Sequence, residues 1–185
     1  QQQHGLIMLM GKGGVGKTSF VVTLGISLKN LGYEVAIFDA DIGLANVDIM
    51  TGISPKWNIT NIIEDDKSIF DIMVDGPSDI KIISGGSGIK DLIVMDESSI
   101  AKLIDEIEKL EYYVDYILID TGAGISNLVI DFIKTSDETI IILTPDPTSL
   151  TDSYAVIKAL TLFGYDRNIN IVVNMVKNSV EARNT

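Results

Sequence analysis

Short, mostly apolar runs alternate along this chain with longer segments of helical periodicity. The runs are bounded by Gly, Asp or Pro and cover residues 6–10, 35–38, 80–83, 116–119, 140–143 and 169–173. Apolar runs of this length are typical of strands that are buried on both faces of a parallel sheet. Helical spacing is clearest at residues 20–31, 100–110 and 150–160. The alternation predicts an α/β fold with a doubly wound, mostly parallel sheet and right-handed crossovers.

The length of the chain limits how many such sheets it can build. It has 185 residues, enough for one well-packed core but too few for two comfortable domains. We therefore expect residues 1–185 to form a single domain. The least regular stretch, residues 43–77, is expected to be a surface excursion with short helices.

The charge and composition of the chain exclude several classes of function. The net charge is -12, and only 14 residues are Lys or Arg, which disfavours non-specific binding to DNA phosphates. Cysteine is absent, so neither disulfides nor cysteine-held iron–sulfur clusters form within these residues. No apolar run approaches the ~20 residues of a membrane span, and no signal-peptide pattern is visible. We expect a cytoplasmic protein.

A glycine-rich loop lies between the first apolar run and the first helical segment. Its sequence over residues 11–18, Gly-Lys-Gly-Gly-Val-Gly-Lys-Thr, matches the phosphate-binding pattern G-x-x-x-x-G-K-S/T. Glycines let backbone N–H groups approach phosphate oxygens, and the helix that follows favours an anion at its N-terminus. A chance glycine turn would not need the strand before it and the helix after it. The predicted nucleotide-binding residues here are Gly11, Lys12, Gly13, Gly14, Val15, Gly16, Lys17, Thr18 and Ser19.

Two lysines of this loop are candidate catalytic residues. Lys17 would place its charge beside the β- and γ-phosphates, and the hydroxyl of Thr18 would ligate Mg²⁺. Lys12 is either an exposed loop charge or a second phosphate-facing cation. One chain cannot easily point both lysines at one phosphate, whereas a lysine that reaches across a dimer could do so, like an arginine finger supplied in trans.

Carboxylates follow two of the predicted strands. Asp39 and Asp41 follow the strand at residues 35–38, and Asp120 follows the strand at residues 116–119. Aspartates at strand ends often only form turns, but a phosphate loop needs an acidic residue at a neighbouring strand end to hold the Mg²⁺ shell. We predict that Asp41 and Asp120, with Thr18, surround the metal, partly through water. Asp41 is the best candidate for orienting the attacking water, and Asp39 is either functional or structural.

These segments resemble the deviant Walker A ATPases of the MinD/ParA family. Residues 12–18 are similar to its phosphate loop, residues 39–48 to its switch I, and residues 120–126 to Walker B and switch II. Within the family, residues 84–88, 144–154 and 172–175 look most like the flagellar-number regulators called FlhG or YlxH. The resemblance covers nearly the whole chain.

The resemblance implies a P-loop NTPase of SIMIBI type that uses ATP/ADP and Mg²⁺. It implies a homodimer that closes on ATP and opens after hydrolysis, with Lys12 acting in trans. Asn174 would contact adenine, although an Asn after a strand is more often a turn residue. Asp152 would contact a partner protein, unless its helix only covers the sheet.

The resemblance also implies partners, namely flagellar assembly or placement proteins of the FlhF and C-ring type. No specific DNA binding is expected. The family usually continues beyond the position of Met175 with more sheet and a membrane-seeking helix, so we expect a chain shortened at its carboxyl end. Membrane association, at the inner membrane or the cell pole, is expected only through such a helix. Two alternatives stay open: a ParA-like partition ATPase, and a nucleotide-responsive scaffold with negligible catalysis.

Overall fold

The computed structural model describes residues 5–42, 44, 46–86 and 96–185. Their strands form one sheet in the order β3-β4-β2-β5-β1-β6-β7. Every pairing is parallel except β3 with β4, which confirms the predicted mostly parallel α/β fold. The strands are β1 (Gly5–Met10), β2 (Val35–Ala40), β3 (Val74–Asp75), β4 (Lys81–Ile83), β5 (Tyr116–Thr121), β6 (Glu138–Leu143) and β7 (Asn168–Val173). Only β3 was not predicted, because two residues are too few to show a pattern.

Helices fill the crossovers between the strands. They are α1 (Lys17–Asn30), α2 (Asn46–Thr51), α3 (Ile59–Glu64), α4 (Ile69–Ile72), α5 (Glu97–Leu110), α6 (Asn127–Thr135), α7 (Pro147–Leu162) and α8 (Ser179–Asn184). The three helical segments seen in the sequence lie in α1, α5 and α7. In the described part of the chain, no helix has the length and hydropathy to cross a membrane.

The sheet separates two hydrophobic clusters. Met8 and Phe38 belong to the cluster on one face, and their strand neighbours Leu9 and Ile37 to the cluster on the other. Both faces of β1 and β2 are therefore buried, and this explains why these strands appear in the sequence as apolar runs. The expected burial on both faces was wrong for β7, which is an edge strand and is exposed or half-buried along its length.

The stretch at residues 43–77 is more deeply packed than we expected. It does hold the short helices α2, α3 and α4, but Ile59, Ile62, Ile69 and Ile72 are at most 1% exposed. The buried carboxylate of Glu106 accepts the backbone N–H of Ile69 at 2.8 Å and so caps α4. The expectation of a surface excursion was therefore wrong, since the stretch completes one of the two cores.

The carboxyl ends of β1, β2 and β5 meet at one edge of the sheet. Because β5 lies between β2 and β1, Asp39 on β2 pairs in register with Asp120 on β5. Ligands of doubly wound sheets bind outside this edge. The fold therefore brings the loop that follows β1 next to both predicted aspartate positions.

Candidate functional site

The glycine-rich loop packs closely against the carboxyl ends of β6 and β7. Gly14 and Gly16 have φ values of 81° and 92°, a left-handed conformation that favours glycine. A Cβ on Gly11 would lie 2.3 Å from the carbonyl oxygen of Ile142, and one on Gly16 would lie 2.6 Å from Nδ2 of Asn174. The loop therefore requires glycines for its path as well as for access to a ligand.

Lys17 is held at the mouth of this loop. Its side chain is buried, and its Nζ donates to the carbonyl oxygens of Gly11 and Lys12, both at 3.0 Å. Burial lowers the pKa of Lys17, while the charges of Asp120 and Asp41 oppose that shift. A poorly solvated ammonium beside a loop of backbone amides is suited to an anionic ligand.

Thr18, in the first turn of α1, contacts Asp120, near the end of β5. The Thr18 hydroxyl donates to Oδ2 of Asp120 at 2.6 Å. Burial raises the pKa of Asp120, and the hydrogen bond from Thr18 and the charge of Lys17 counteract this rise. The other carboxylate oxygen of Asp120, Oδ1, is buried and has no hydrogen-bond partner among the described residues. Such an orphaned oxygen is a ready acceptor for a metal-bound water.

The donor set around Thr18 fits Mg²⁺ in the way that a phosphate loop binds it. The described part of the chain contains no group of three or more His, Cys, Asp or Glu side chains that could hold a metal alone. A metal here would instead take most of its ligands from phosphate and water, as Mg²⁺ prefers. Thr18 would be a direct ligand, and Asp120 would act through water.

Asp41, directly after β2, lies near enough to Lys17 to be affected by its charge. Burial raises the pKa of Asp41, and Lys17 and a hydrogen bond from Asn46 counteract it. Nδ2 of Asn46 donates to Oδ2 of Asp41 at 3.0 Å. A Cβ on Gly122 would lie 2.6 Å from Oδ1 of Asp41, so only glycine allows this approach. The roles of Asn46 and Gly122 were not predicted, although both lie in segments that carry the family resemblance.

Asp39 is buried beneath Asp41. Its Oδ1 accepts the backbone N–H of Asp41 and its Oδ2 that of Val47, each at 3.1 Å. Burial raises the pKa of Asp39 to about 7, the two backbone N–H groups oppose the rise, and the nearby Asp120 adds to it. Asp39 thus accepts hydrogen bonds from the backbone at Asp41 and at Val47. The sequence left open whether Asp39 is functional or structural, and these two bonds are structural.

Lys12 contacts its own chain in this structure. Its Nζ donates to Oγ1 of Thr148 at the start of α7, and Thr148 in turn donates to Asp146 at 2.5 Å. The side chain thus lies against the first turn of α7. Its role across a dimer stays a prediction.

Asn174 and Asp152 are the two predicted contact residues that lie away from the proposed metal site. Nδ2 of Asn174 donates to the carbonyl oxygen of Val15 at 2.9 Å and so ties the end of β7 to the loop. Its neighbour Met175 lines the cleft. Asp152 is exposed on α7, where a partner could reach it. The adenine contact of Asn174 and the partner contact of Asp152 both stay predictions.

An open cleft of about 660 Å³ lies beside the phosphate loop. Among the predicted site residues that do not line it are Lys12, Asp120, Asn174 and Asp152. The phosphate loop forms one part of its lining. The rest comes from residues after β2, in α2, at and after the end of β5, and after β7. The lining residues are Gly13, Gly14, Gly16, Lys17, Thr18, Ser19, Asp41, Leu44, Asn46, Ile49, Met50, Thr121, Ala123 and Met175. Of the segments that carry the resemblance, residues 43, 45, 87 and 88 lie outside the described residues.

Two curated relatives match most of this chain. The antiactivator FleN of Pseudomonas aeruginosa is 35% identical over 174 residues, which cover 94% of this chain and 62% of FleN. The flagellum site-determining protein YlxH of Helicobacter pylori is 37% identical over 176 residues, covering 95% of this chain and 59% of YlxH. The chain thus spans about three fifths of the length of either relative.

Solved structures share the fold. The septum site-determining protein MinD of Pyrococcus horikoshii OT3, complexed with Mg-ADP, superposes with a TM-score of 0.81 at 23% identity, over 96% of this chain and 73% of that one. The sequence model of the ParA family, described as NUBPL iron-transfer P-loop NTPase, matches residues 1–184. The predicted resemblance is confirmed: the chain belongs to the ParA family of P-loop NTPases.

Proposed function

We propose that this chain binds Mg²⁺ and ATP in the cleft, hydrolyses ATP to ADP and phosphate, and acts as a nucleotide-dependent dimerisation switch. The observation that carries the proposal is the meeting of Lys17, Thr18, Asp120 and Asp41 around a glycine loop. One buried oxygen of Asp120 has no hydrogen-bond partner within the described part of the chain. That arrangement suits an anion beside a hydrated cation.

Each residue has a distinct task in this proposal. Lys17 balances charge on the β- and γ-phosphates, and the loop amides bind their oxygens. Thr18 and Asp120 would hold the metal and its water, and Mg²⁺ bound there would supply positive charge beside the phosphates. Asp41 orients the attacking water, because its Oδ2 is fixed by Asn46 and its other oxygen lies over Gly122. Positioning of this kind dominates phosphoryl transfer.

The biological role that we propose is control of flagellar number or placement through partner proteins. FleN is named an antiactivator and YlxH a flagellum site-determining protein, and both are at least 35% identical to this chain. The partners would be flagellar assembly or placement proteins of the FlhF and C-ring type. In this proposal the protein acts in the cytoplasm, peripherally at the inner membrane or the cell pole.

Calorimetry and light scattering test the switch directly. We expect Mg²⁺-dependent binding of ATP, weaker binding of GTP, and a dimer only with a non-hydrolysable ATP analogue. Failure of folded protein to bind Mg-ATP would refute the proposal. Binding without turnover, even with flagellar proteins present, would favour the scaffold alternative, and salt-sensitive DNA binding in ATP would favour a partition ATPase.

A further inference from the structure

Helix α2 forms part of the cleft wall and carries the group that orients Asp41. Its first residue, Asn46, donates to Oδ2 of Asp41, and its later residues Ile49 and Met50 line the cleft. The position of α2 therefore sets the position of the Asp41 carboxylate.

Asp39 anchors this helix from below. Its Oδ2 accepts the N–H of Val47, one of the first-turn amides that a helix cannot satisfy internally. Its Oδ1 accepts the N–H of Asp41. Asp39 is 0% exposed, so water does not compete for either bond. One carboxylate thus holds the backbone of Asp41 and the helix that bears Asn46.

A second bond docks α2 to the neighbouring strand. The buried hydroxyl of Ser84, directly after β4, donates to Oδ2 of Asp48 at 2.5 Å. This bond restrains the body of α2 but makes no contact with Asp41. Unlike Ser84, Asp39 bonds both to the backbone of Asp41 and to the backbone of α2.

We infer that Asp39 is a positioning residue for phosphate cleavage: its two backbone bonds hold Asp41 and the Asn46-bearing helix in the geometry that orients the attacking water. This role rests on the proposed ATPase function. Asp39 lies beneath the cleft and acts only through Asp41 and Asn46, so it contributes to the rate of cleavage and leaves the binding of ATP to the loop unchanged.

The test is the variant Asp39→Asn, which keeps the size of the side chain. An amide has one acceptor oxygen, so it cannot accept both N–H groups. We expect kcat to fall at least ~10-fold, because misplaced catalytic groups carry penalties of this size or more. The Kd for Mg-ATP should stay within about threefold of the wild type, since the loop contacts are intact. Hydrogen exchange should show loss of protection at the amides of Asp41 and Val47.

Glu106→Gln is the matched control. Glu106 is also a buried carboxylate that caps a short helix through one backbone N–H, that of Ile69, but α4 does not line the cleft. We expect lower stability and unchanged kcat. Asn46→Ala removes the hydrogen bond from α2 to the Asp41 carboxylate. It should lower kcat and leave the Kd for Mg-ATP unchanged, and it gives this readout even if Asp39→Asn folds poorly.

A double variant separates a role through Asp41 from an independent one. In the Asp41→Asn background, Asp39→Asn should cost no further turnover, because residues that act together are non-additive. If the wild type hydrolyses ATP and Asp39→Asn keeps its kcat within twofold, the positioning role of Asp39 is refuted and the proposed ATPase function stands. If the folded wild type does not hydrolyse ATP, the proposed function falls and this role falls with it.

Discussion

The hydroxyl of Thr18 and the carboxylate of Asp120 lie 2.6 Å apart although their positions differ by 102 in the sequence. The bond joins the first turn of α1 to the end of β5, on either side of the place where a metal would sit. Both groups are therefore placed to give up this mutual hydrogen bond and to contact a metal and its bound water instead.

Removing the Thr18 hydroxyl should abolish the contribution of Mg²⁺ to binding. Thr18→Val keeps the shape of the side chain but supplies no metal ligand, whereas Thr18→Ser keeps the hydroxyl. We expect the valine variant to bind Mg-ATP ~10-fold or more weakly, about 1.4 kcal/mol, and the serine variant to behave like the wild type. Calorimetry with Mg²⁺ and with EDTA measures the difference. Equal Mg²⁺ dependence in both variants would contradict the metal assignment.

Neutralising Asp41 should separate hydrolysis from binding. Asp41→Asn cannot orient water through a carboxylate, but it leaves the loop, Lys17 and Thr18 in place. We expect turnover to fall on the order of 100-fold while the Kd for Mg-ATP changes less than about threefold. Single-turnover measurements report the chemical step. Wild-type turnover in this variant would show that another group orients the water.

Lys12 should matter for turnover only in a dimer. Lys12→Ala should keep nucleotide binding and lose turnover, on the order of 100-fold, because a cation supplied in trans stabilises charge during phosphoryl transfer. Thr148→Val is the matched control, because it removes the partner of Lys12 on α7 and keeps the lysine. Turnover per chain should rise with concentration in the control and stay flat in Lys12→Ala. Unchanged turnover in Lys12→Ala would end the trans model.

Asp146 should make α7 sensitive to acid. Hydrogen bonds from Thr144, Thr148 and Ser149 hold the pKa of Asp146 below its usual range. A pKa lowered by folding contributes stability above the unfolded value, about 3.9, and that contribution is lost as the pH falls through the folded value.

The variant Asp146→Asn tests that sign. It keeps one acceptor for the N-terminal amides of α7 but cannot titrate. The difference in free energy of unfolding between wild type and variant should be largest near neutral pH and should shrink below pH ~4. Urea denaturation across this range measures it, and Asp152→Asn controls for loss of a carboxylate from α7. A difference that is independent of pH would refute the assignment.

The packed stretch around α3 should be essential for stability. Ile62 is 0% exposed, so Ile62→Ala should cost about 2–5 kcal/mol of unfolding free energy. Leu162, which is 77% exposed, should tolerate alanine within about 0.5 kcal/mol. Chemical denaturation compares the two. A small loss at Ile62 would mean that this stretch is peripheral after all.

The sequence by itself determined the strand-and-helix alternation, the phosphate loop and the family, because these depend on local patterns. Apolar runs indicate strands, and the spacing of Gly11, Gly14 and Gly16 describes a loop path that favours glycine at each of these positions. The candidate residues Lys17, Thr18, Asp41 and Asp120 could be named for the same reason: each lies in a loop or at a strand end that the patterns locate.

Only the tertiary structure decided which of these groups meet. The strand order brings the ends of β2 and β5 beside the loop, and no local pattern contains that order. The bonds of Asp39 to Asp41 and Val47, the contact of Lys12 with Thr148, and the burial of α3 and α4 all depend on it. Each joins groups whose approach is set by how separate elements pack, and packing is a property of the whole sheet.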